Sequence, residues 1–453
     1  LSNNAGSFLK DLTLTSKGST DTNDGLIYLY RNIYLNGDFK STGDTRIQTS
    51  NFTIDTEQGN VADAGDIIFS GRNFQTYTWG DTTFDTSTTA VGKNGGNVVL
   101  SDTYYKSNLS TKSININTAG GEDAQAGDIS LPGVYTTHND ENGTQTYNGK
   151  TITLYGNLYT NQADISLTGD VQLANSVQID TWSDTNNKQN ASAGDVTING
   201  GLSATKEDLT LNINTSTNTG NDDFNTSDGT THELSDYYSH NAGDVSIVSS
   251  TTSGTNQLNT LIVDSYNQGS FDNGEDGSIS LDGISTKGNQ SYTSGTVNIN
   301  GDLNAEDILV ETKTANSTVS ATGTITANSL ELIGNNTTYN LAPTAGHNLN
   351  ELAVSSASSV NLLNTKALNI KTISSTEGIS ASGTIDIATK TGDITVDSNI
   401  ETTLGYSNAI VLNAGKDSSA GTKTGGNIVI NNNSTITAGE DSRVKLFSGS
   451  IEG

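Results

Sequence analysis

Two short phrases set a tryptophan close to carboxylates. "YTWGD" puts Trp79 two residues before Asp81, and "DTWSD" puts Trp182 two residues before Asp184. A flat ring beside an acid can stack on a sugar while the carboxylate accepts its hydroxyls. In the competing reading, each ring simply packs a loop onto the flank of the fold. Tyr104–Tyr105 and Tyr237–Tyr238 raise the same question more weakly. Two acidic turns suit a hard cation. "FDNGEDGSI" holds Asp272, Glu275 and Asp276, and "STDTNDGL" holds Asp21, Asn23 and Asp24. Such oxygen-rich loops are candidate Ca²⁺ sites. Neither has EF-hand spacing, so solvated turns compete with bound metal. The histidines are His138, His232, His240 and His347; His232 and His240 share one insertion with Glu233 and Asp236. A metal pair there competes with an incidental loop pair. No GxSxG elbow, HExxH helix or P-loop occurs. The expectation is a non-enzyme with no catalytic residue and no cofactor other than Ca²⁺.

The elements that must position these residues follow one pattern. Glycine, a small polar residue, then apolar–any–apolar recurs at Gly65-Asp66-Ile67-Ile68-Phe69, Gly96-Asn97-Val98-Val99-Leu100, Gly127-Asp128-Ile129-Ser130-Leu131, Gly194-Asp195-Val196-Thr197-Ile198 and Gly243-Asp244-Val245-Ser246-Ile247. Each reads as a short strand of period two. The leading glycine predicts a corner at positive φ. No window sustains a helical stripe, and β-branched, Asn/Gly-rich sequence opposes helices. The chain therefore reads as all-β. Antiparallel sandwiches would need hairpins, whereas a parallel solenoid needs only corners. The dense strand spacing in the last third predicts the solenoid, with coils of roughly 20–25 residues. In the first two thirds a strand ends, a polar stretch follows, and "AGD" or a variant restarts the next strand. "IDTEQGNVADAGDI" and "IDTWSDTNNKQNASAGDV" are examples. These read as loops leaving from corners while the coil continues beneath.

A larger unit is also copied. "GTQTYNGKTITLYGNL" and "GNQSYTSGTVNINGDL" align Gln145 with Gln290 and Tyr147 with Tyr292 at one constant offset. The division predicted is 1–37, leading coils; 38–158 and 159–303, two multi-coil repeats; and 304–453, a more regular stretch.

Composition bounds the rest. Of 453 residues only 16% are charged, yet the net charge is −29, and 32% are hydrophobic. Low apolar content fits a narrow core fed by alternate strand residues. An acidic surface disfavours nucleic acid. Cysteine is absent and proline appears twice. No apolar run is long enough to span a membrane as a helix. Leu1 reads as the start of a mature or excerpted segment of a larger parent.

The order "AGDVTING…LTLN…AGDVSI…LNTLIVDS…GISTKGNQSYTSG", and above all "NAIVLNAGKDSSAGTKTGGNIVINNNSTITAGEDSRVKLFSGSIEG" (Asn408 to Gly453), resembles the repeats of filamentous-haemagglutinin-type adhesins. These are exported by two-partner secretion and include biofilm-matrix adhesins. The likeness runs over roughly residues 38 to 453. It implies a right-handed parallel β-helix with polar loop insertions at corners, unfolded export through an outer-membrane transporter, and an extracellular or cell-surface location. It implies a rigid rod that attaches to cells or matrix. Extracellular polysaccharide and host or neighbouring cell surfaces are the expected partners, with self-association besides. The secretion domain with its Asn-Pro-Asn-Gly signature lies outside this segment. A self-assembling surface-layer or filament protein is the alternative, and a β-helical polysaccharide-active enzyme is a third reading.

Overall fold

The computed structural model describes residues 8–20, 23–71, 74–76, 80–100, 108–138, 141–182, 192–217, 224–225, 231–232, 241–249, 257–267, 274–418, 426–431 and 433–448. Among these there is no helix, and nearly all strand pairing is parallel. The coarse expectation, an all-β chain built on extensive parallel pairing, is met. The arrangement is compatible with a solenoid. The chain divides into two compact units. The first is Leu1–Asp244 with Gly254–Leu258 and Asn267–Gly274; the second is Val245–Ser253, Asn259–Tyr266 and Glu275–Gly453.

In the first unit, strands fall into parallel series. One runs Leu12–Leu14, Phe39–Ser41, Ile67–Phe69, Val98–Val99, Ile129–Leu131. A second runs Ile33–Tyr34, Phe52–Asp55, Asp81–Asp85, Ser113–Asn117. A third begins with Leu26–Leu29, Asp44–Ile47 and Phe74–Thr76. Within each strand alternate side chains are buried, as in Phe52 and Ile54 or Ile67 and Phe69. Facing inward, Phe39, Phe69, Phe74, Phe84 and Phe52 form a chain of rings with centroids 4.1–6.4 Å apart. Burying one such side chain contributes about 1.5–3 kcal/mol.

Three polar devices recur in this unit. The aspartate or asparagine opening each strand takes a backbone N–H from the equivalent residue one repeat later. Asp38 N–H donates to Asp11 Oδ1 (2.9 Å), Asp66 N–H to Asp38 (3.0 Å), Asn97 N–H to Asp66 (2.7 Å) and Asp128 N–H to Asn97 (2.8 Å). The repeat spacing is 27 to 31 residues here. The second device closes five of the insertions. A buried threonine donates to the carbonyl of the glycine that restarts the strand: Thr56 to Gly65, Thr86 to Gly96, Thr118 to Gly127, Thr181 to Gly194 and Thr215 to Gly243, at 2.6–2.8 Å. The third lies just before that threonine. Asp55, Asp85, Asn117, Asp180 and Asn214 each accept the N–H two residues on, the local turn such side chains favour.

The glycine itself acts differently from the expectation. Gly65, Gly96, Gly127, Gly194 and Gly243 do not have positive φ. A Cβ on Gly96 would sit 2.1 Å from the Gly65 carbonyl oxygen, and one on Gly127 would sit 2.0 Å from that of Gly96. Backbone lies directly on backbone from one repeat to the next, so close approach, not a left-handed corner, requires glycine. Gly392 does take φ +82°.

The second unit is more regular. Ser278–Asp282, Thr296–Ile299 and Thr318–Ala321 pair in parallel, as do Gln290–Ser294 and Asp307–Thr312. Cross-repeat hydrogen bonds there span 20 to 22 residues, rising to 34 and 36 near the end. Its core is mainly aliphatic: Ile279, Leu281, Val297, Ile299, Leu330, Ile385, Ile387, Ile410 and Leu412 are all buried, with Tyr292, Tyr339 and His347 among them.

Candidate functional site

The copied phrase is scaffold. Tyr147 is buried, and its hydroxyl donates to Gln145 Oε1 at 3.0 Å; Gln145 Nε2 donates to the Tyr159 carbonyl at 2.8 Å. Tyr292 donates to Gln290 Oε1 at 3.0 Å, and Gln290 Nε2 donates to the Asn304 carbonyl at 3.0 Å. Each glutamine converts an inward phenol into a satisfied group. Burial raises both phenol pKa values well above the usual 10.

The candidate residues from the sequence scatter. Asp81 is exposed; its carboxylate accepts from Ser113 Oγ at 2.6 Å, and its N–H donates to Asn51 Oδ1 at 2.9 Å. Trp182 is half-buried, and its N–H donates to Asp180 Oδ1 at 3.0 Å. Trp79 and Asp184 lie outside the described residues, as do Tyr104–Tyr105 and Tyr237–Tyr238. Of the acidic turns, Asp272 and Asp21 lie outside them too. Asp24 pairs with Lys17 across a short antiparallel ladder. Glu275 is exposed, and Asp276 Oδ2 accepts from Thr314 Oγ1 at 2.7 Å. Among the described residues no three His, Asp or Glu side chains group to hold a metal ion.

His240 lies outside the described residues, while His138 and His232 lie in strands. His347 is in the core of the second unit, where its Nδ1 accepts the Ile325 N–H at 3.0 Å. The ring is thus the neutral Nε2-protonated form. Burial holds its pKa down to about 4, with the Leu341 carbonyl offsetting this in part.

Among the described residues, two outward-facing aromatic patches occur in the first unit, and they differ in how they are occupied. Tyr135 and Tyr159 stack at 4.8 Å. Asn157 Nδ2 donates to Tyr159 Oη at 2.7 Å, and Tyr159 donates to Gln178 Oε1 at 3.2 Å. Asp180 accepts from Gln178 at 3.2 Å and from Asn214 at 3.3 Å. Burial raises the pKa of Asp180 despite these bonds. This patch spends its polar atoms on itself.

The other patch lies on the third strand series. Tyr28 and Tyr30 stack with centroids 5.8 Å apart and planes 13° apart, and are 44% and 55% exposed. Parallel register places Tyr28 beside Arg46, Leu26 beside Asp44, and Arg46 beside Gln75. Alternation buries Thr45, Ile47, Phe74 and Thr76 and turns Asp44, Arg46 and Gln75 outward. Leu26, Asp44, Thr45, Arg46 and Gln75 line a cavity of about 180 Å³. Thr45 Oγ1 is held from below by Ser41 (2.7 Å) and the Gly43 carbonyl (3.0 Å). Among the described residues, no hydrogen bond or ion pair engages the Arg46 guanidinium. Sequence reasoning passed over these residues. The available signal was "LIYLYRN", in which tyrosine occupies the outward positions of an alternating run.

Comparison with known proteins finds no matching family model, no matching curated protein and no matching solved structure.

Proposed function

We propose that the chain is a secreted, non-catalytic structural adhesin at the bacterial cell surface, each unit being a stretch of right-handed parallel β-helix. The observation carrying this reading is the repeated neck. Polar excursions leave again and again from between a buried threonine and a stacked glycine, while the parallel ladder continues beneath them. Such a frame presents varied surface at fixed intervals on a stiff support. That suits attachment to extracellular polysaccharide or to a neighbouring cell, and it needs no catalytic group. Export as an unfolded chain through an outer-membrane transporter fits the lack of cysteine. The acidic charge keeps such chains apart in solution.

The test is attachment. Beads coated with the purified chain should bind a polysaccharide-rich biofilm, and free chain should compete them off. Coated beads that bind no better than albumin-coated beads would remove the adhesin reading.

A further inference from the structure

We infer that the face formed by Tyr28, Tyr30, Arg46, Gln75 and Asp44 is a binding site for a neutral glycan, one ring of which sits in the cavity beside Arg46. This inference rests on the adhesin reading above and names the ligand class for one place on it.

The strand register carries it. Neighbouring parallel strands lie about 4.8 Å apart. Tyr28 on Leu26–Leu29, Arg46 on Asp44–Ile47 and Gln75 on Phe74–Thr76 therefore form one transverse row on the outward face. The row offers an aromatic surface at one end and planar hydrogen-bonding groups along the rest. A sugar ring has an apolar face of C–H groups and an edge of neighbouring hydroxyls. The tyrosine pair takes the face. The Arg46 guanidinium fork can take the edge, since it presents two N–H donors side by side. The cavity of about 180 Å³ is smaller than the roughly 300 Å³ at which drug-sized pockets begin. It suits one ring of a polymer lying across the face.

Arg46 is the second observation. It is half-buried, beside an exposed ring, with no hydrogen bond or ion pair to its guanidinium among the described residues. The Tyr135–Tyr159 patch, by contrast, is closed by Asn157, Gln178 and Asp180. Charge selects the neutral class. A chain of net charge −29 repels acidic polymers.

The test is affinity electrophoresis of the whole chain through gels holding dextran, galactomannan or a soluble β-glucan, with polygalacturonate as the acidic arm and a proline-rich peptide as a non-sugar competitor. At least one neutral polymer should retard the chain. Tyr28→Ala and Arg46→Ala should each weaken the apparent affinity roughly tenfold, and Arg46→Lys should not restore it, because an ammonium lacks the fork. Tyr159→Ala should retard like the parent chain. All three positions face outward, so unchanged far-UV circular dichroism certifies the fold. Retardation by none of the neutral polymers, by polygalacturonate alone, or undiminished in Tyr28→Ala and Arg46→Ala overturns the inference; so does displacement by the peptide. Bead attachment separates the two readings. Beads that attach without glycan retardation sink the site and leave the adhesin standing. Glycan retardation without attachment does the reverse.

Discussion

The two units solve one problem with different materials. The first repeats at 27 to 31 residues in its leading coils and at 20 to 49 further on, packs phenylalanine on phenylalanine, and opens at threonine-gated necks. The second repeats at 20 to 22 residues over much of its length, packs isoleucine and leucine, and carries a buried histidine. Short repeats leave little chain outside the ladder. Long repeats need a device that closes the excursion, and the hydroxyl of Thr86 or Thr118 supplies it. The difference teaches that excursion length and core composition vary while parallel register and the Gln–Tyr pair persist.

The largest test of that contrast removes core volume from one side at a time. Phe84→Ala should destabilise the first unit by about 3–5 kcal/mol, and Leu330→Ala the second by about 2–5 kcal/mol. Both tryptophans fall within Leu1–Asp244. Urea unfolding followed by tryptophan fluorescence therefore reads the first unit alone, while circular dichroism reads both. Phe84→Ala should move the fluorescence midpoint and Leu330→Ala should leave it in place. Equal shifts would show one cooperative block.

Acid comes next. The unfolded-state pKa of His347 is the usual 6.5, and the folded value is pushed down to about 4. The unfolded chain thus binds the proton first. The full stabilisation is present above about pH 6.5 and is lost progressively as pH falls to about 4. The loss totals about 3 kcal/mol. Stability of the parent minus that of His347→Leu, measured by circular dichroism at each pH, should show that slope. A flat difference would place the proton elsewhere.

A smaller effect tests the shared device. Gln145→Leu and Gln290→Leu each strand a buried phenol, costing about 1–3 kcal/mol. Adding Tyr147→Phe or Tyr292→Phe should recover much of the loss. Recovery in one unit only would show that the two copies have diverged in energetics. The smallest expected change is Thr118→Val. Removing the hydroxyl that holds the Gly127 carbonyl should cost about 1 kcal/mol and raise proteolysis at 119–126. The second unit keeps a counterpart at a short corner, where the buried Thr389 donates to the Gly392 carbonyl at 2.9 Å.

Much of this frame was legible in the sequence, and the reasons are local. Period-two runs such as Asp66-Ile67-Ile68-Phe69 announce a strand that buries alternate residues, and the constant offset of Gln145 and Tyr147 from Gln290 and Tyr292 announces duplication. The purpose of the glycines was misjudged. Positive φ is a property of one residue's backbone, whereas the approach of Gly96 to Gly65 depends on a neighbour 31 residues away. The Tyr28–Arg46–Gln75 row was hidden for the same reason. Its members belong to three strands, and only the parallel register puts them on one line. Sequence inspection favoured Trp79 and Trp182 because a rare residue next to an acid is conspicuous along the chain. The outward row is conspicuous only across it.

The threonine necks carry a lesson in modularity. Thr56 meets Gly65 after 9 residues, Thr181 meets Gly194 after 13, and Thr215 meets Gly243 after 28, through the same bond each time. Lengthening a flexible loop from 9 to 28 residues adds only about 1 kcal/mol of closure entropy. The gate therefore insulates the ladder from whatever is spliced between its posts. A foreign peptide inserted after Ser183 should be displayed without disturbing the strands on either side, and natural variation can rewrite these segments while the supporting architecture stays unchanged.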